Sequence, residues 1–226
     1  LPSNISVFAV GHPVQRVIEE RYGVRVEILH FGLEDFPAEH RKEMDDGKVR
    51  FLTAGMYAKI KGQDVLVEAI RQLPEEYLGR TEFFFCGNEQ MYDERVFSSV
   101  KEVCREYGNV TMLHQLSRME TLAWMERRDC LIVPSRLETM SAVAIEMMMK
   151  GNLCLCTDTC GIAHYIQDGC NGFTVPPEDV DALMEKIKYI ADNNRRLDAL
   201  RKAGRRTYEE HFSMEIFEQR IIGLLG

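Results

Sequence analysis

The sequence predicts an α/β fold: a doubly wound, six-stranded parallel sheet followed by a helical C-terminal tail. From Val49 onward, short runs of β-branched or aromatic residues alternate with amphipathic stretches whose apolar residues recur at three- and four-residue spacing. Because crossovers between parallel strands are right-handed, helices cover both faces of such a sheet. Ligands of these sheets bind where loops leave the carboxyl ends of the strands, so the pattern also predicts where the site lies.

The individual elements follow from the same patterns. Strands are expected near residues 49–54, 81–86, 109–113, 129–133, 153–157 and 172–175. The covering helices are expected at 63–73, 90–106, 117–127 and 141–150. Three tail helices are expected over 178–192, over 195–208 and from Met214. Ser213 is placed to cap the last helix, and Phe212 and Phe217 occupy the positions of a hydrophobic staple.

The chain ahead of the main domain has a different pattern. Residues 5–9, 13–21 and 25–29 are expected to form a strand, a helix and a strand, and a polar linker follows. The chain is thus divided into residues 1–30, a linker at 31–48 and a main domain at 49–226. The first residue is not Met, which favours a fragment of a longer protein.

Composition argues against several functions. A formal net charge of -8 disfavours a general nucleic-acid or anionic-membrane surface, since either needs a basic face. No apolar run is long enough to span a bilayer, and the seven cysteines mostly lie in apolar runs, typical of reduced core residues in a cytoplasmic protein. We interpret the basic residues between Arg195 and Arg206 as a solvated helix face, with docking to an anionic membrane surface as the lesser alternative.

Two patterns that resemble metal sites are rejected. The cysteines at 154, 156, 160 and 170 lack the paired C-x2-C spacing of zinc knuckles. Asp179 and Asp181 follow Pro177 at a predicted helix start, where acidic residues complement the helix dipole. We therefore expect neither a metal nor a cofactor.

The segment PSRLETMSAVAIEMMMKG carries the strongest functional signal. A strand ends at Pro134, a loop presents Glu138, and a helix that opens near Met140 carries Glu146. A helix start offers unpaired amides and a positive dipole end to a phosphate, while carboxylates accept hydrogen bonds from sugar hydroxyls. Two carboxylates facing one such site indicate a ligand that combines phosphate and polyol, as a nucleotide sugar does.

At this segment the chain resembles the retaining GT-B glycosyltransferases called group 1 or family 4. Four segments match in order: FLTAGMYAKIKGQDVLVEAI, NVTMLHQL, PSRLETMSAVAIE and CLCTDTCGIAHYIQDGCNGFTVPPEDVDAL. The third contains the family's Glu-x7-Glu pattern as Glu138 and Glu146. The resemblance covers about residues 49–192 and implies the C-terminal, donor-binding half of a GT-B fold. It also implies that residues 1–30 are the end of the acceptor domain and that the final helix crosses back to it.

The resemblance implies a role for individual residues. Lys61 would offset charge on the departing diphosphate, Glu138 would bond donor-sugar hydroxyls, and Glu146 would bond the ribose. Lys61 and Glu138 are the expected catalytic residues. The expected donor-binding residues are Gly55, Lys61, Gly62, Gly87, His114, Leu116, Glu138, Met140, Ser141, Ala142 and Glu146.

Three positions depart from the family's pattern. Met56 stands nearest to a common phosphate-binding arginine, so either Lys59 or Arg136 replaces it or the diphosphate binds more weakly. His114 replaces a frequent glycine, and His164 stands where an acidic residue is common. Neither histidine has a visible catalytic partner, so a structural or merely exposed role is expected for both.

Together these features predict a cytoplasmic, metal-independent, retaining glycosyltransferase domain that is inactive as this fragment. It would bind a nucleotide sugar, while the acceptor glycan, lipid or small molecule would bind mainly to a missing N-terminal domain. No nucleic-acid partner is expected, and peripheral membrane contact is left open. Two alternatives remain: a non-catalytic nucleotide-sugar-binding subunit, and a GT-B epimerase with catalytic carboxylates and a histidine around the cleft.

Overall fold

A computed structural model describes residues 5–38, 46–88, 92–113 and 115–225. The described strands are β1 (Phe8–Ala9), β2 (Glu27–Ile28), β3 (Val49–Ala54), β4 (Thr81–Cys86), β5 (Val110–Leu113), β6 (Cys130–Val133), β7 (Leu153–Thr157) and β8 (Phe173–Val175). The described helices are α1 (His12–Tyr22), α2 (Gln63–Gln72), α3 (Glu75–Leu78), α4 (Glu94–Glu106), α5 (Arg118–Glu126), α6 (Ala142–Met149), α7 (Val180–Asn193), α8 (Asp198–His211) and α9 (Met214–Leu225). None of these helices is long and apolar enough to cross a membrane.

The main sheet has six parallel strands in the order β5-β4-β3-β6-β7-β8. The chain runs from β3 outward to β5 and then returns to place β6 on the other side of β3. The expected doubly wound, Rossmann-like sheet is therefore confirmed. The reversal makes the carboxyl ends of β3 and β6 the topological switch point, where ligands of such sheets bind.

Two hydrophobic cores lie on opposite faces of the sheet, because successive strand residues point to opposite sides. On β3, Phe51 belongs to one core and Leu52 to the other, and both are buried. Helices α2, α4 and α7 cover the first core, and α5, α6 and α8 cover the second. The near-continuous apolar β6 and β7 are buried along their whole length, as expected of central parallel strands.

Predicted and observed element ends differ by a few residues. Helix α4 begins at Glu94, because the Asp93 carboxylate caps it by accepting the amides of Arg95 and Val96; the expected start at 90 lies outside the described residues. A short 3-10 turn over 194–196 precedes α8. The expected Ser213 cap is confirmed, since its Oγ accepts the Ile216 amide at 3.4 Å.

The segment expected to be a polar linker is partly packed against the main domain. Leu33 exchanges backbone hydrogen bonds with Phe212 and Met214 at the corner between α8 and α9. Tyr208 Oη donates to the Leu33 carbonyl at 2.9 Å, and Phe36 packs against the second core. Residues 39–45 of the segment lie outside the described residues. The segment packs because Leu33 and Phe36 are apolar, although most of the residues around them are polar.

The basic residues between Arg195 and Arg206 do not form a uniform solvated face. Arg201 is only 3% exposed and donates to the Asn194 carbonyl at 2.8 Å. Arg205 bonds Asp35, Glu209 and the Met149 carbonyl. The interpretation holds for Lys202 and Arg206, which are exposed. It is wrong for Arg201 and Arg205, because the helical period turns them toward neighbouring elements.

Candidate functional site

A cleft with a volume of about 340 Å³ lies at the carboxyl ends of β3 and β6. Residues 53–56 and 132–135 form its floor, and Lys61, Gln63, Glu138 and the start of α6 form its sides. The cleft therefore occupies the switch point of the sheet. Five of the predicted site residues line it: Gly55, Lys61, Glu138, Ser141 and Ala142.

Gly62 allows the start of α2 to lie against the end of β6. Its φ of 69° is in the left-handed region, and a β-carbon there would lie 1.9 Å from the Pro134 carbonyl oxygen. A side chain is excluded on both counts. Gly62 thus positions Lys61, which ends the preceding 3-10 turn at residues 59–61, at the rim of the cleft.

Gly87 has a similar role behind the loop that follows β3. A β-carbon on Gly87 would lie 2.4 Å from the Gly55 carbonyl oxygen and 2.8 Å from the Tyr57 ring. Gly55 donates its amide to the Cys86 carbonyl at 2.9 Å, which ties the two loops together. Gly87 therefore supports the Gly55 loop and does not line the cleft itself.

Lys61 and Glu138 form an ion pair in the cleft. Lys61 Nζ donates to Glu138 Oε2, and the side chains are 28% and 15% exposed. The Glu138 backbone is fixed separately, because its carbonyl accepts the Gly161 amide at 2.9 Å. The pair places one positive and one negative group beside each other, as recognition of a phosphate-bearing sugar requires.

The start of α6 supplies a second electropositive group. No side chain caps this helix, whose N-cap residue Ser141 has φ 81°. The first hydrogen bond of the helix backbone runs from the Ile145 amide to the Ser141 carbonyl at 3.3 Å. The amides of residues 142–144, in the first turn, therefore have no partner within the helix. Unpaired amides and the helix dipole favour an anion at this position.

Three polar side-chain atoms of cleft-lining residues have no hydrogen-bond partner among the described residues. They are Ser141 Oγ, Thr53 Oγ1 and Gln63 Oε1, and all are buried. Buried polar groups in native proteins are nearly always paired, so these three atoms are available to bond a ligand or a water molecule in the cleft. Sequence reasoning missed Thr53 and Gln63, because a threonine in a strand and a glutamine in a helix carry no motif signal.

Glu146 does not line this cleft. It is 6% exposed, and its Oε1 accepts a hydrogen bond from Arg118 Nε of α5 at 2.8 Å. The expected pair of carboxylates in one cavity is thus divided. Glu138 lies in the cleft with Lys61, whereas Glu146 lies about one helical turn farther along α6, four positions after Ala142 at the helix start.

The other predicted residues occupy different surroundings. The Met140 side chain is 1% exposed in the second core, so it could reach a ligand only through its backbone. Leu116 packs against the same core and does not line the cleft. His114 lies outside the described residues.

The position of the missing arginine is taken by an exposed methionine. Met56 lines the cleft and is 42% exposed, and its carbonyl accepts Gln63 Nε2 at 2.8 Å. Arg136 bonds Asp64 at 2.8 and 2.9 Å and Glu178 at 2.9 Å, and these carboxylates raise its pKa. Neither Arg136 nor the exposed Lys59 lines the cleft, so the structure brings neither replacement into it.

Two histidines stack at the junction between the N-terminal segment and the main domain. The His12 and His164 rings are parallel, with centroids 4.0 Å apart. Burial, His164 and Arg16 lower the pKa of His12. Nearby, a β-carbon on Gly11 would lie 2.5 Å from the Thr139 carbonyl oxygen. The N-terminal segment therefore packs directly against the loop that follows Glu138.

The rejected Asp-x-Asp pattern has the role that its position indicates. Asp179 Oδ1 accepts the Ala182 amide at 2.9 Å and so caps α7. Six of the seven cysteines are buried or half-buried, and Cys170 is exposed. Burial raises the pKa of Cys86 and, to about 11, that of Cys104, as expected of unreactive core thiols.

Comparison with known proteins yields consistent matches to one group of enzymes. The chain is 24% identical over 212 residues to an uncharacterized glycosyltransferase of Methanocaldococcus jannaschii, covering 92% of this chain and 56% of the relative. It is 30% identical over 129 residues to the lipopolysaccharide glucosyltransferase WaaG of Escherichia coli, covering 57% of this chain and 33% of the relative. The chain thus spans about half the length or less of these curated relatives.

Solved structures share the fold at low sequence identity. Anabaena HepE in complex with UDP and glucose superposes with a TM-score of 0.83 at 17% identity, over 97% of this chain and 62% of HepE. Sucrose-phosphate synthase of Thermosynechococcus elongatus has a TM-score of 0.81 at 22% identity, over 96% of this chain and 57% of the enzyme. The predicted C-terminal half of a GT-B fold is thereby confirmed.

A family model also matches most of the chain. The model of the glycosyl transferases group 1 matches residues 35–207, which include the cleft, its glycines and both glutamates of the Glu-x7-Glu pattern. Because the match covers well over half of its length, the chain belongs to the group 1 glycosyltransferase family.

Proposed function

We propose that this domain binds the nucleotide-sugar donor of a retaining, metal-independent glycosyltransferase. One observation carries the proposal: the Lys61–Glu138 pair lies beside the uncapped start of α6 in a single cleft at the switch point of the sheet. An ammonium, a helix start and a carboxylate together match a diphosphate that is joined to a sugar. The structure of HepE with UDP-glucose makes a UDP-sugar the first donor to test.

Lys61 and α6 would stabilise the leaving diphosphate. In the described structure, Lys61 is neutralised by Glu138. A bound phosphate would share the ammonium, while the α6 amides and the Ser141 hydroxyl would bond other phosphate oxygens. Because these groups already offset negative charge where it develops, the proposal requires no metal ion.

Glu138 and Glu146 would bind different parts of the donor. Glu138, released from Lys61, would accept hydrogen bonds from sugar hydroxyls and orient the transferred sugar. Glu146 Oε1 already accepts a bond from Arg118, so ribose hydroxyls would bond its Oε2. Arg118 then acts as a positioning residue that fixes the Glu146 carboxylate.

The acceptor would bind mainly to a second domain. The curated relatives extend well beyond the region matched here, and the parallel β1–β2 pair precedes the main sheet as the end of such a domain would. We propose that residues 1–30 belong to it and that 31–48 form the connection. The chain alone would then bind the donor without transferring the sugar. We propose that the protein acts in the cytoplasm.

A thermal-shift screen with UDP-, GDP-, ADP- and dTDP-sugars tests donor binding. We expect a saturable rise in the melting temperature with at least one donor and its loss in Lys61→Ala. Lys59→Ala is the matched control, because Lys59 is exposed two residues away and does not line the cleft. Absence of a shift with every donor, or an equal loss in both lysine variants, contradicts the proposal.

A non-catalytic donor-binding subunit is the second candidate function. Met56 in the cleft favours it, because an uncharged side chain there leaves the diphosphate with one cation fewer. Donor hydrolysis by the protein with its acceptor domain, abolished in Glu138→Ala and Lys61→Ala, would identify an enzyme; normal donor affinity without turnover would identify the subunit. The epimerase would require a histidine beside the carboxylates; the described lining of the cleft contains none, and His114 lies outside the described residues.

A further inference from the structure

A second cavity, of about 400 Å³, lies at the opposite end of the main sheet. It is formed by the amino ends of β3 and β6, at residues 47–50 and 126–129, and by the α7–α8 connection around residues 191–201. The same two strands therefore end at the donor cleft and begin at this cavity. Their length separates the two sites by about 15 Å.

The lining of this cavity is unusually basic for this chain. Cationic side chains outnumber carboxylates among the lining residues, although the whole chain has a formal net charge of -8. Such a concentration of positive charge in a concave site raises the local concentration of anions. The cavity is therefore electrostatically complementary to an anion.

Some of these cations already have structural partners. Arg50 bonds Asp46 and lies 2.9 Å from Glu82, and it is 5% exposed. Arg201 bonds Asn194 and approaches Asp198 at 3.2 Å. These two arginines hold the walls of the cavity together, and their existing partners occupy their N–H groups.

Arg128 is different, because it is buried without a carboxylate partner among the described residues. It is 8% exposed, and its Cζ lies 4.0 Å from the Phe84 ring centroid and 4.3 Å from that of Trp124. Its only described hydrogen bond goes to the Arg127 carbonyl at 2.9 Å, and its buried Nε has no partner. Burial, and to a smaller extent Arg50, lower its pKa to about 10, although the carboxylates of Glu82 and Asp129 oppose this shift.

Two exposed arginines extend this unpaired charge to the mouth of the cavity. Arg127 and Arg196 both line it, and neither forms an ion pair with any residue that the structure describes. Arg127 comes from the turn before β6, whereas Arg196 comes from the 3-10 turn before α8. Three guanidinium groups from two separate segments therefore converge on one cavity.

We propose that this cavity is a binding site for a small phosphate-bearing anion, distinct from the donor cleft. Guanidinium groups bond phosphate oxygens through paired N–H donors, and a phosphate would supply the acceptors that Arg127, Arg128 and Arg196 lack. The flat aromatic faces of Phe84 and Trp124 hold the Arg128 guanidinium without using its N–H groups. The volume accommodates a phosphomonoester or pyrophosphate.

Isothermal titration calorimetry with inorganic pyrophosphate at constant ionic strength tests this site. Because phosphates would also enter the donor cleft, the titration is made in the Lys61→Ala variant and repeated in that background with Arg127→Gln and Arg196→Gln added. We expect saturable binding in Lys61→Ala and at least a tenfold weaker affinity after the two added substitutions. Both arginines are exposed, so their replacement leaves the core intact.

Lys202→Gln with Arg206→Gln is the matched control, since both side chains are exposed on α8 and neither lines the cavity. The control should bind pyrophosphate as Lys61→Ala does. Absence of binding in Lys61→Ala, unchanged affinity after the Arg127 and Arg196 substitutions, or an equal loss in the control would overturn the proposal. Arg128→Met adds a second readout: pyrophosphate affinity should fall while circular dichroism shows a retained fold.

Discussion

Gly62 packs so closely against Pro134 that a β-carbon on Gly62 would overlap the Pro134 carbonyl oxygen, at 1.9 Å. Gly62 joins the 3-10 turn that ends at Lys61 to α2, and Pro134 follows β6. The contact sets the distance between the lysine and the strand end that forms the floor of the cleft. This backbone contact thus places the Lys61 backbone at the rim of the cleft, and the ion pair with Glu138 holds its ammonium there.

Gly62→Ala should destabilise the domain and displace Lys61. The methyl group would combine a left-handed φ with a backbone clash, for which we expect a loss of about 2–4 kcal/mol in the free energy of unfolding. Urea denaturation measures this loss. Gly79→Ala is the control, because its β-carbon would meet its nearest neighbour at 3.6 Å and its φ is helical; equal effects of the two substitutions would contradict the prediction.

Ser141→Ala should lower the affinity for the donor without lowering the free energy of unfolding. The Ser141 hydroxyl is buried without a described partner, so its removal should leave the free energy of unfolding unchanged or raise it by about 1 kcal/mol. Donor affinity should fall about tenfold if the hydroxyl bonds a phosphate oxygen. Thermal melts and donor titration provide the two measurements, and a large loss of stability with unaltered affinity would refute this role.

Glu138→Gln should change the preference of the cleft for a sugar. Glutamine removes the charge that competes with phosphate for Lys61, so affinity for UDP alone should stay equal or increase. It also weakens the bonds to sugar hydroxyls, so any preference for a UDP-sugar over UDP should fall. Competition binding measures both affinities, and a parallel loss of the two would show that Glu138 supports the fold instead.

The free energy of unfolding should decrease as the pH falls from 7 toward 5.5. Burial lowers the pKa of His12, His30 and His211 below the ordinary 6.5, so the unfolded chain takes up protons first in this range. Stability is therefore fully present above pH 6.5 and is lost as the pH drops toward the lowered values. Denaturation at several pH values measures the slope.

His12→Gln isolates one contribution to that slope. Removing the ring stacked on His164 should flatten the pH dependence. Exposed carboxylates titrate at lower pH, so they leave this window unaffected. A slope identical to that of the unaltered chain would exclude His12 as a contributor.

The sequence predicted much of the fold, because its pattern is locally determined. The six main strands and their covering helices end within a few residues of the expected positions, since periodicity and capping residues such as Ser213 act over short distances. The linker was less predictable. Leu33 and Phe36 pack through contacts with α8 and α9 that no local pattern specifies.

The sequence predicted part of the candidate site, namely that Lys61 and Glu138 lie together. Lys61 and Glu138 are 77 residues apart, and the order of the motifs placed both at strand ends that the topology joins. The separation of Glu146 from Glu138 was not predicted, because motif spacing does not show that Glu146, one turn into α6, lies outside the cleft and bonds Arg118 of α5. Thr53 and Gln63 were missed because their significance lies in having no partner.

The amino-acid sequence is sufficient to predict the alternation of strands and helices, the family pattern and the end of the sheet where the cleft lies, because each depends on short-range periodicity or motif order. The pairing of charges is visible only in the folded chain. Arg136 bonds Asp64 and Glu178, whereas Arg128 is buried without a carboxylate within ion-pair distance among the described residues. Such pairing depends on distances of a few ångströms between segments that are remote in sequence.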